Sequence, residues 1–214
     1  MTNRGKFIVI EGCDGSGKST IHNAVIHHLM SIGKMPFAVR DPGGSVIGGE
    51  IRKILLNPEH KNMCATTELM LYTASRAQLV SECIKPHLDK GEIVVSDRYT
   101  LSTYVYQGLL KSSTDEMLKK MIALGIENAI PDLVILLDVS IDTAMKRLNR
   151  ELDRMEQKGV DFLKQVRLRY LETVLTCFPS PIFGYKVTTV STERNIDDVK
   201  KEVISVVVDE VYRS

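Results

Sequence analysis

The 214-residue chain is 43% hydrophobic and 26% charged, a composition that can bury one sizeable core, and its length favours a single domain. A formal net charge of +1 argues against a general affinity for nucleic acid, and the first apolar run is too short for a signal sequence or a membrane span. Four cysteines without a C-x-x-C pair predict neither a disulfide framework nor a zinc site, and they favour reduced thiols in a cytoplasmic protein.

The first predicted strand, Phe7 to Ile10, leads directly into a complete G-x-x-x-x-G-K-[ST] phosphate loop, and a helix-like segment follows from Lys18. The loop glycines let several backbone N–H groups point at a phosphate, and the helix directs its positive end at the same anion. Lys18 is expected to reach the outer phosphates, and the Ser19 hydroxyl is expected to bind Mg²⁺. The residues predicted to bind the nucleotide are Gly12, Cys13, Asp14, Gly15, Ser16, Gly17, Lys18, Ser19 and Thr20. This motif predicts a nucleoside triphosphate ligand.

Four further apolar runs show little alternation, which is typical of strands in a parallel sheet covered on both faces. They lie at Phe37 to Val39, Ile93 to Val95, Leu133 to Val139 and, more weakly, Tyr185 to Val190. Segments with helical spacing are expected to begin at Lys18, Val46, Thr66, Thr114, Ile141, Val160 and Asn195. This alternation predicts an α/β fold with a five-stranded sheet, whose ligands collect beyond the carboxyl ends of the strands.

Charged residues follow the second and third predicted strands, at Arg40-Asp41 and at Asp97-Arg98. Phosphoryl transfer depends on holding donor and acceptor in line and on stabilising charge, so several cations are expected to converge. Asp97 is predicted to lie near the magnesium ion, and Arg98 is predicted to bind an acceptor phosphate. A structural ion pair at the strand end is the alternative interpretation.

Two further groups suit a nucleoside. Tyr72 and Arg76 lie four residues apart on a predicted helix, so a ring and a hydrogen-bond donor can address one planar base. An aromatic residue at this spacing is more often part of a core. The polar groups between Thr103 and Gln107 suit a sugar or base pocket, and a surface helix is equally compatible with them.

Residues 147 to 154 place arginines three and four positions apart, at Arg147, Arg150 and Arg154. On one face of a helix they predict a lid that closes over the phosphates and excludes water. A solvated charged helix is the alternative.

With these motifs in order, the sequence from Phe7 to the C-terminal helix resembles the thymidylate kinases, in particular their bacterial branch. The resemblance rests on Glu11-Gly12 through Thr20, Arg40-Asp41-Pro42-Gly43-Gly44, Gly49 through Leu55, Tyr72 through Gln78, Asp97-Arg98-Tyr99, Tyr106-Gln107-Gly108, Pro131-Asp132-Leu133 and Leu152 through Glu156. It implies a P-loop nucleoside monophosphate kinase fold, a single domain over residues 1–214 and a mobile lid around residues 147–158. It also implies transfer of the γ-phosphoryl group of ATP to the 5′-phosphate of dTMP, with Mg²⁺ required, by a homodimer.

The resemblance assigns residues to the acceptor as well. Arg52 and Arg98 are implied to grip the dTMP phosphate. Tyr72 is implied to stack on thymine, and Arg76 to donate a hydrogen bond to a carbonyl of the base.

The remaining acceptor contacts are implied by position alone. Thr103 and Gln107 fall where the family contacts the base, and Tyr106 falls where it crowds the sugar 2′ position and so favours deoxyribose. Asp14 falls where an acid meets the sugar 3′-hydroxyl. Arg40 is placed beside the substrate, or it only shapes its own loop.

Gly15 stands where some family members carry an arginine inside the phosphate loop. The resemblance therefore implies that Arg150 and Arg154 of the lid supply the transition-state cation, as an arginine finger does in cis. Replacing both with alanine is expected to reduce turnover much more than ATP binding.

The sequence also departs from the family pattern, with Asp41 in place of glutamate, Tyr72 in place of phenylalanine and a shorter lid. These changes leave an unsubstituted or 5-substituted deoxyuridylate open as an additional or preferred acceptor. A P-loop nucleoside kinase is an alternative, although Arg52 and Arg98 favour a phosphorylated acceptor. A nucleotide-switch protein is a third, disfavoured by the absence of an N-K-x-D run.

Overall fold

The computed structural model describes residues 4–110, 114–148, 151–176 and 184–213. Within them a five-stranded sheet has the order β2-β3-β1-β4-β5, and every neighbouring pair is parallel. The strands are β1 (Phe7–Gly12), β2 (Phe37–Arg40), β3 (Val94–Asp97), β4 (Leu133–Asp138) and β5 (Lys186–Ser191). The predicted α/β fold with a parallel sheet is confirmed.

Helices connect the strands and cover both faces of the sheet. They are α1 (Lys18–Ser31), α2 (Val46–Leu56), α3 (Ala65–Leu79), α4 (Lys85–Asp89), α5 (Thr100–Leu109), α6 (Asp115–Ile126), α7 (Ile141–Arg147), α8 (Val160–Thr176) and α9 (Ile196–Val211). A π-helical turn over Val80–Ile84 joins α3 to α4, and a short 3₁₀ turn at Glu156–Lys158 precedes α8. In the described part of the chain, no helix combines the length and apolar character needed to cross a membrane.

The central strand explains why the apolar runs do not alternate. Phe7, Ile8, Val9 and Ile10 of β1 are all fully buried. Phe7 and Val9 pack on the face covered by α3 to α6 and α8, whereas Ile8 and Ile10 pack on the face covered by α1 and α9. Burial of each such side chain contributes about 1.5–3 kcal/mol, so both layers stabilise the strand that carries the phosphate loop.

The helix α5 has no counterpart among the predicted helical starts. Thr100, Leu101, Thr103, Val105 and Tyr106 are all buried, because α5 lies between the sheet and the neighbouring helices α6 and α8. A helix buried nearly all round lacks the polar face that marks an amphipathic segment. Its polar side chains consequently lie inside the protein, close to the strand ends.

Candidate functional site

A cavity of about 770 Å³ lies at the carboxyl ends of β1, β2 and β3, where a parallel α/β sheet is expected to bind its ligands. The phosphate loop forms one end of it, and α3 and α5 form the other. Its side chains include Asp14, Lys18, Ser19, Arg40, Asp41, Arg52, Tyr72, Arg76, Asp97, Arg98, Thr103, Tyr106, Gln107 and Arg147. Most of the residues predicted from the sequence therefore face one shared space.

The phosphate loop has the backbone that its glycines predict. Gly15 and Gly17 have φ values of 78° and 90°, in the left-handed region that favours glycine. Lys18 begins α1, and its Nζ donates a 2.8 Å hydrogen bond to the carbonyl oxygen of Cys13. Burial lowers the pKa of Lys18, and the nearby Arg98 guanidinium lowers it further. The lysine is therefore held across the loop, next to the helix N-terminus.

Gly15 also packs closely against the helix that precedes the predicted lid. A Cβ atom at this position would lie 2.4 Å from the carbonyl oxygen of Ala144 in α7. The atoms it would meet belong to the α7 backbone, which cannot move aside as the end of a flexible side chain can. The loop and α7 therefore fit together only with glycine here.

Asp97 ends β3 with a carboxylate that faces the cavity. Its Oδ2 lies 3.6 Å from Nε of the half-exposed Arg40, while its buried Oδ1 has no hydrogen-bond partner among the described residues. Ser19 lines the same cavity. The described residues contain no cluster of three or more histidine, cysteine or acidic side chains that would hold a metal by themselves. One carboxylate and one hydroxyl fit Mg²⁺, which is commonly bound by few protein oxygens together with substrate phosphates.

Arg98 is held in place by the phosphate loop and α5. It has a φ of 71°, in the left-handed region that non-glycine residues seldom adopt. Its Nη1 donates to the carbonyl oxygen of Gly12 at 2.9 Å and to Ser102 Oγ at 3.0 Å, and its Nη2 contacts Asp14 Oδ1 at 2.5 Å. Burial alone would raise the pKa of Asp14, but Arg98 and then Lys18 lower it well below its ordinary value. Asp14 therefore remains a carboxylate, and it accepts from the hydroxyl of Tyr106 at 3.3 Å.

Beneath Arg98 lies a buried acid, Glu11, that the sequence motifs contained but whose role they did not predict. Its oxygens accept from the backbone N–H groups of Tyr99 and Ser102, from Ser102 Oγ at 2.6 Å and from the Tyr170 hydroxyl at 3.0 Å. Burial raises the pKa of Glu11, and Arg98 partly offsets this. The network ties β1, α5 and α8 together at the base of the cavity.

At the far end of the cavity, Arg76 is 1% exposed and fixed from three sides. Its Nε donates to Asp41 Oδ2 at 2.6 Å, and its Nη2 donates to Thr103 Oγ1 at 2.6 Å and to the Tyr99 carbonyl at 3.2 Å. The buried Nη1 has no partner in the described ranges. A rigid donor without a partner beside a cavity is a group ready to meet a ligand acceptor.

Two more predicted substrate residues frame this region. Tyr72 lies one helical turn before Arg76 on α3, and burial raises the pKa of its hydroxyl. Arg52 reaches in from α2, where its Nη1 donates to the Pro42 carbonyl at 2.9 Å. Burial and the neighbouring Arg40 lower the pKa of Arg52. The structure thus brings the Tyr72 ring and the guanidiniums of Arg52 and Arg76 to one part of the cavity.

The structure describes one of the two predicted lid arginines, Arg154, whereas Arg150 lies outside the described residues. Arg154 does not line the cavity in this conformation, because its Nη1 lies 2.6 Å from Glu68 Oε2 and its Nε donates to the Leu55 carbonyl at 2.6 Å. The Arg154 side chain is 7% exposed, and in this conformation it contacts Glu68 and does not line the cavity.

A third arginine of the same segment does face the cavity. Arg147, at the end of α7, donates to the Thr192 carbonyl at 2.8 Å. Thr192 and Arg194, between β5 and α9, and Ile196, the first residue of α9, line the cavity beside it. Sequence reasoning did not single these three out, although they follow a strand end, because β5 is the weakest of the apolar runs.

Comparison with known proteins identifies relatives of one kind. The family model described as thymidylate kinase matches residues 10–203. A thymidylate kinase of Thermosipho africanus is 43% identical over 167 residues, which cover 78% of this chain and 83% of the relative. A thymidylate kinase of Fervidobacterium nodosum is 35% identical over 201 residues, covering 94% of this chain and 97% of the relative. A thymidylate kinase of Chlamydia felis is 40% identical over 169 residues, which cover 77% of this chain and 82% of the relative.

Proposed function

The chain belongs to the thymidylate kinase family, and on that premise we propose how its own residues divide the work of the reaction. The reaction is ATP-dependent transfer of the γ-phosphoryl group to the 5′-phosphate of dTMP, which gives dTDP and ADP. The observation that carries the assignment of roles is one shared cavity, with a phosphate loop at one end and, at the other, Arg76, whose Nη1 has no partner among the described residues.

We propose that the phosphate loop holds the ATP phosphates, with backbone N–H groups and Lys18 as donors. Ser19 and the free oxygen of Asp97 would hold the Mg²⁺ ion, which when bound neutralises charge on the β- and γ-phosphates. Oδ1 of Asp97 is available for this role because Arg40 pairs with Oδ2.

For the acceptor phosphate we propose Arg98, which follows β3, and Arg52 of α2, both of which line the cavity. Arg98 is anchored by Gly12 and Ser102, so its guanidinium loses little side-chain entropy when phosphate binds. Such anchoring supports in-line placement of the acceptor oxygen, on which phosphoryl transfer depends.

For the nucleoside we propose that the Tyr72 ring stacks on thymine and that Arg76 Nη1 donates to a base carbonyl. Asp14 would accept from the sugar 3′-hydroxyl. Tyr106, whose hydroxyl already contacts Asp14, would occupy the space that a 2′-hydroxyl needs. These roles favour a deoxyribose and a base with a carbonyl at the Arg76 end.

We propose that residues 147–158 act as the lid of a single domain. Two contacts support this by holding the ends of the segment: Arg147 on Thr192 and Arg154 on Glu68. The residues between Arg147 and Arg154 can close over the phosphates while these two contacts stay in place. Closure would exclude water and prevent wasteful hydrolysis of ATP.

We propose a homodimer that forms through α2, α3 and α6. These helices pack side by side and expose apolar side chains on their outer surface, namely Ile47, Ile54, Met70, Met117 and Leu124. Adjacent exposed apolar groups of this kind mark interaction surfaces. Sedimentation analysis of the wild type and of a Met70→Glu variant tests the proposal. A monomeric wild type would contradict it.

We propose a cytoplasmic location, supported by the free thiols of Cys13, Cys64 and Cys83. Fluorescence microscopy of a tagged chain tests the location, and fluorescence outside the cytoplasm would contradict it.

A coupled ADP-release assay tests the proposed roles. We expect turnover with dTMP, weaker turnover with dUMP and none with thymidine, which has no phosphate for Arg52 and Arg98 to hold. Arg98→Ala is expected to raise the KM for dTMP and lower kcat while the Kd for ATP stays close to that of the wild type. Normal use of thymidine would contradict the assigned acceptor site.

A further inference from the structure

Glu68 is an acid buried within α3 whose role given above is to hold Arg154 of the lid segment. It is 1% exposed and lies one helical turn before Tyr72, on the face of α3 that also carries Arg76. A buried carboxylate is costly unless it is paired and hydrogen-bonded. The partners of Glu68 therefore indicate what the residue does.

One oxygen of Glu68 is held by the C-terminal part of the lid segment. Glu68 Oε2 lies 2.6 Å from Arg154 Nη1 and 3.7 Å from Lys158 Nζ. Arg154 is itself fixed by the Leu55 carbonyl at the end of α2. The carboxylate thus has one defined orientation, and its second oxygen points to α5.

The other oxygen, Glu68 Oε1, accepts a 2.9 Å hydrogen bond from Gln107 Nε2. A carboxylate accepts hydrogen bonds and never donates them, so the amide must present its NH₂ group to Glu68. The carbonyl oxygen Oε1 of Gln107 then lies on the opposite side of the amide. Gln107 lines the cavity, and its Oε1 accepts no hydrogen bond in the described part of the chain.

We propose that Glu68 is a positioning residue that locks the Gln107 amide with its carbonyl oxygen towards the base, so that the pocket selects a pyrimidine with hydrogen on N3. Thymine and uracil carry a hydrogen on N3 and can donate it to this oxygen. Cytosine has an unprotonated N3, which accepts hydrogen bonds and would face another acceptor. The proposal rests on the base pocket assigned above, and it links base selection to Arg154 in the lid segment.

The variant Glu68→Gln tests whether Glu68 sets the orientation of the Gln107 amide. The Arg154 guanidinium only donates, so it keeps the side-chain oxygen of the new glutamine, whose NH₂ group then faces Gln107. Gln107 must rotate its carbonyl oxygen inward and present NH₂ to the cavity. We expect the ratio of kcat/KM for dTMP over dCMP to fall at least about tenfold, since mispaired buried groups discriminate strongly.

The matched control is Glu82→Gln. Glu82 also accepts from a glutamine amide, Gln78 Nε2 at 2.8 Å, but this pair lies at the surface away from the cavity. This control is expected to leave the ratio unchanged. The exchange variant Glu68→Gln/Gln107→Glu should recover a preference for dTMP, because a carboxylate at 107 again offers an acceptor to N3.

A second variant removes the contact between Glu68 and Gln107 without reversing the orientation of the Gln107 amide. Glu68→Met/Arg154→Met replaces the buried pair with apolar side chains, a change that proteins often tolerate. The freed amide can then rotate, and the dTMP preference should fall here too. An unchanged ratio in both Glu68 variants would overturn the proposal.

Gln107→Ala separates this proposal from the assignment of the base pocket. If Gln107→Ala lowers the preference for dTMP but the Glu68 variants do not, then Gln107 contacts the base without being oriented by Glu68. In that case only the proposal about Glu68 fails. If Gln107→Ala also leaves the KM for dTMP and the ratio unchanged, the base pocket itself is misassigned and both fail.

Discussion

Asp41 and Arg76 form an ion pair inside the protein, with Oδ2 2.6 Å from Nε and neither side chain more than 1% exposed. The pair joins the loop after β2 to α3, and it leaves one donor of Arg76 free beside the cavity. Burial raises the pKa of Asp41, and Arg76 partly offsets this effect. The position of the proposed base-reading donor thus depends on a residue outside α3.

Asp41→Asn is expected to destabilise the protein by about 3 kcal/mol, because a buried guanidinium would lose its charged partner. The KM for dTMP should rise as Arg76 loses its fixed position. Urea unfolding and steady-state kinetics measure the two effects. The exposed pair Lys53–Glu50 offers a control, since Glu50→Gln should change the stability by less than about 0.5 kcal/mol. Equal stability of the two variants would show that the Asp41 pair adds little.

Tyr72 should act through its ring and not through its hydroxyl, for which the described residues offer no hydrogen-bond partner. Tyr72→Phe is therefore expected to change the KM for dTMP less than about threefold. Tyr72→Ala should raise it roughly 10-fold to 100-fold, because stacking on a base contributes about 1–3 kcal/mol. A large effect of the phenylalanine variant on dTMP, but not on dUMP, would assign the hydroxyl to selection at the 5-position.

Arg154 and Arg150 should differ when each is replaced with alanine. Arg154→Ala leaves buried Glu68 with the more distant Lys158 as its charged partner among the described residues, so we expect a loss of about 3 kcal/mol in unfolding free energy. Arg150→Ala should leave stability near that of the wild type and lower kcat about 100-fold, the effect of removing one group that stabilises transition-state charge. Thermal unfolding and pre-steady-state kinetics separate the two. A fully stable Arg154→Ala enzyme would contradict the structural role.

Asp14 should stabilise the protein in a pH-dependent way. Although burial opposes it, Arg98 and Lys18 hold its pKa in the folded protein below that of the unfolded chain. Its stabilisation is then complete above the unfolded pKa and is lost as pH falls through about 4 towards the folded value. Asp14→Asn should be less stable than the wild type at pH 7, and the two should converge in acid. Parallel stability curves from urea unfolding would contradict the depressed pKa.

The sheet and the donor site could be predicted because each is a local signal. β1 and the phosphate loop are adjacent in sequence, and the loop chemistry depends on spacing alone. The residues Tyr72 and Arg76 could be paired for the same reason, since one helical turn separates them. The sequence leaves α5 open only as a surface helix between Thr103 and Gln107, and its burial could not be predicted because the polar side chains on it suggested contact with solvent.

The contacts that fix the site are long-range and leave no pattern in the sequence. Glu11 and Tyr170 are 159 residues apart, and Glu68 meets Arg154 only because α3 and the segment before α8 pack together. Helical spacing placed Arg154 on a face with the other lid arginines. The structure has no helix over 151–155, so that face does not form.

The contact between Gly15 and Ala144 limits which mutations are accessible to this lineage. An arginine at position 15 would need a left-handed backbone and would drive its Cβ into the α7 backbone. Replacing Gly15 with arginine is therefore expected to be deleterious by itself. The α7 backbone would have to move to make room, so we expect a larger residue in the loop to occur in relatives only together with changes in α7.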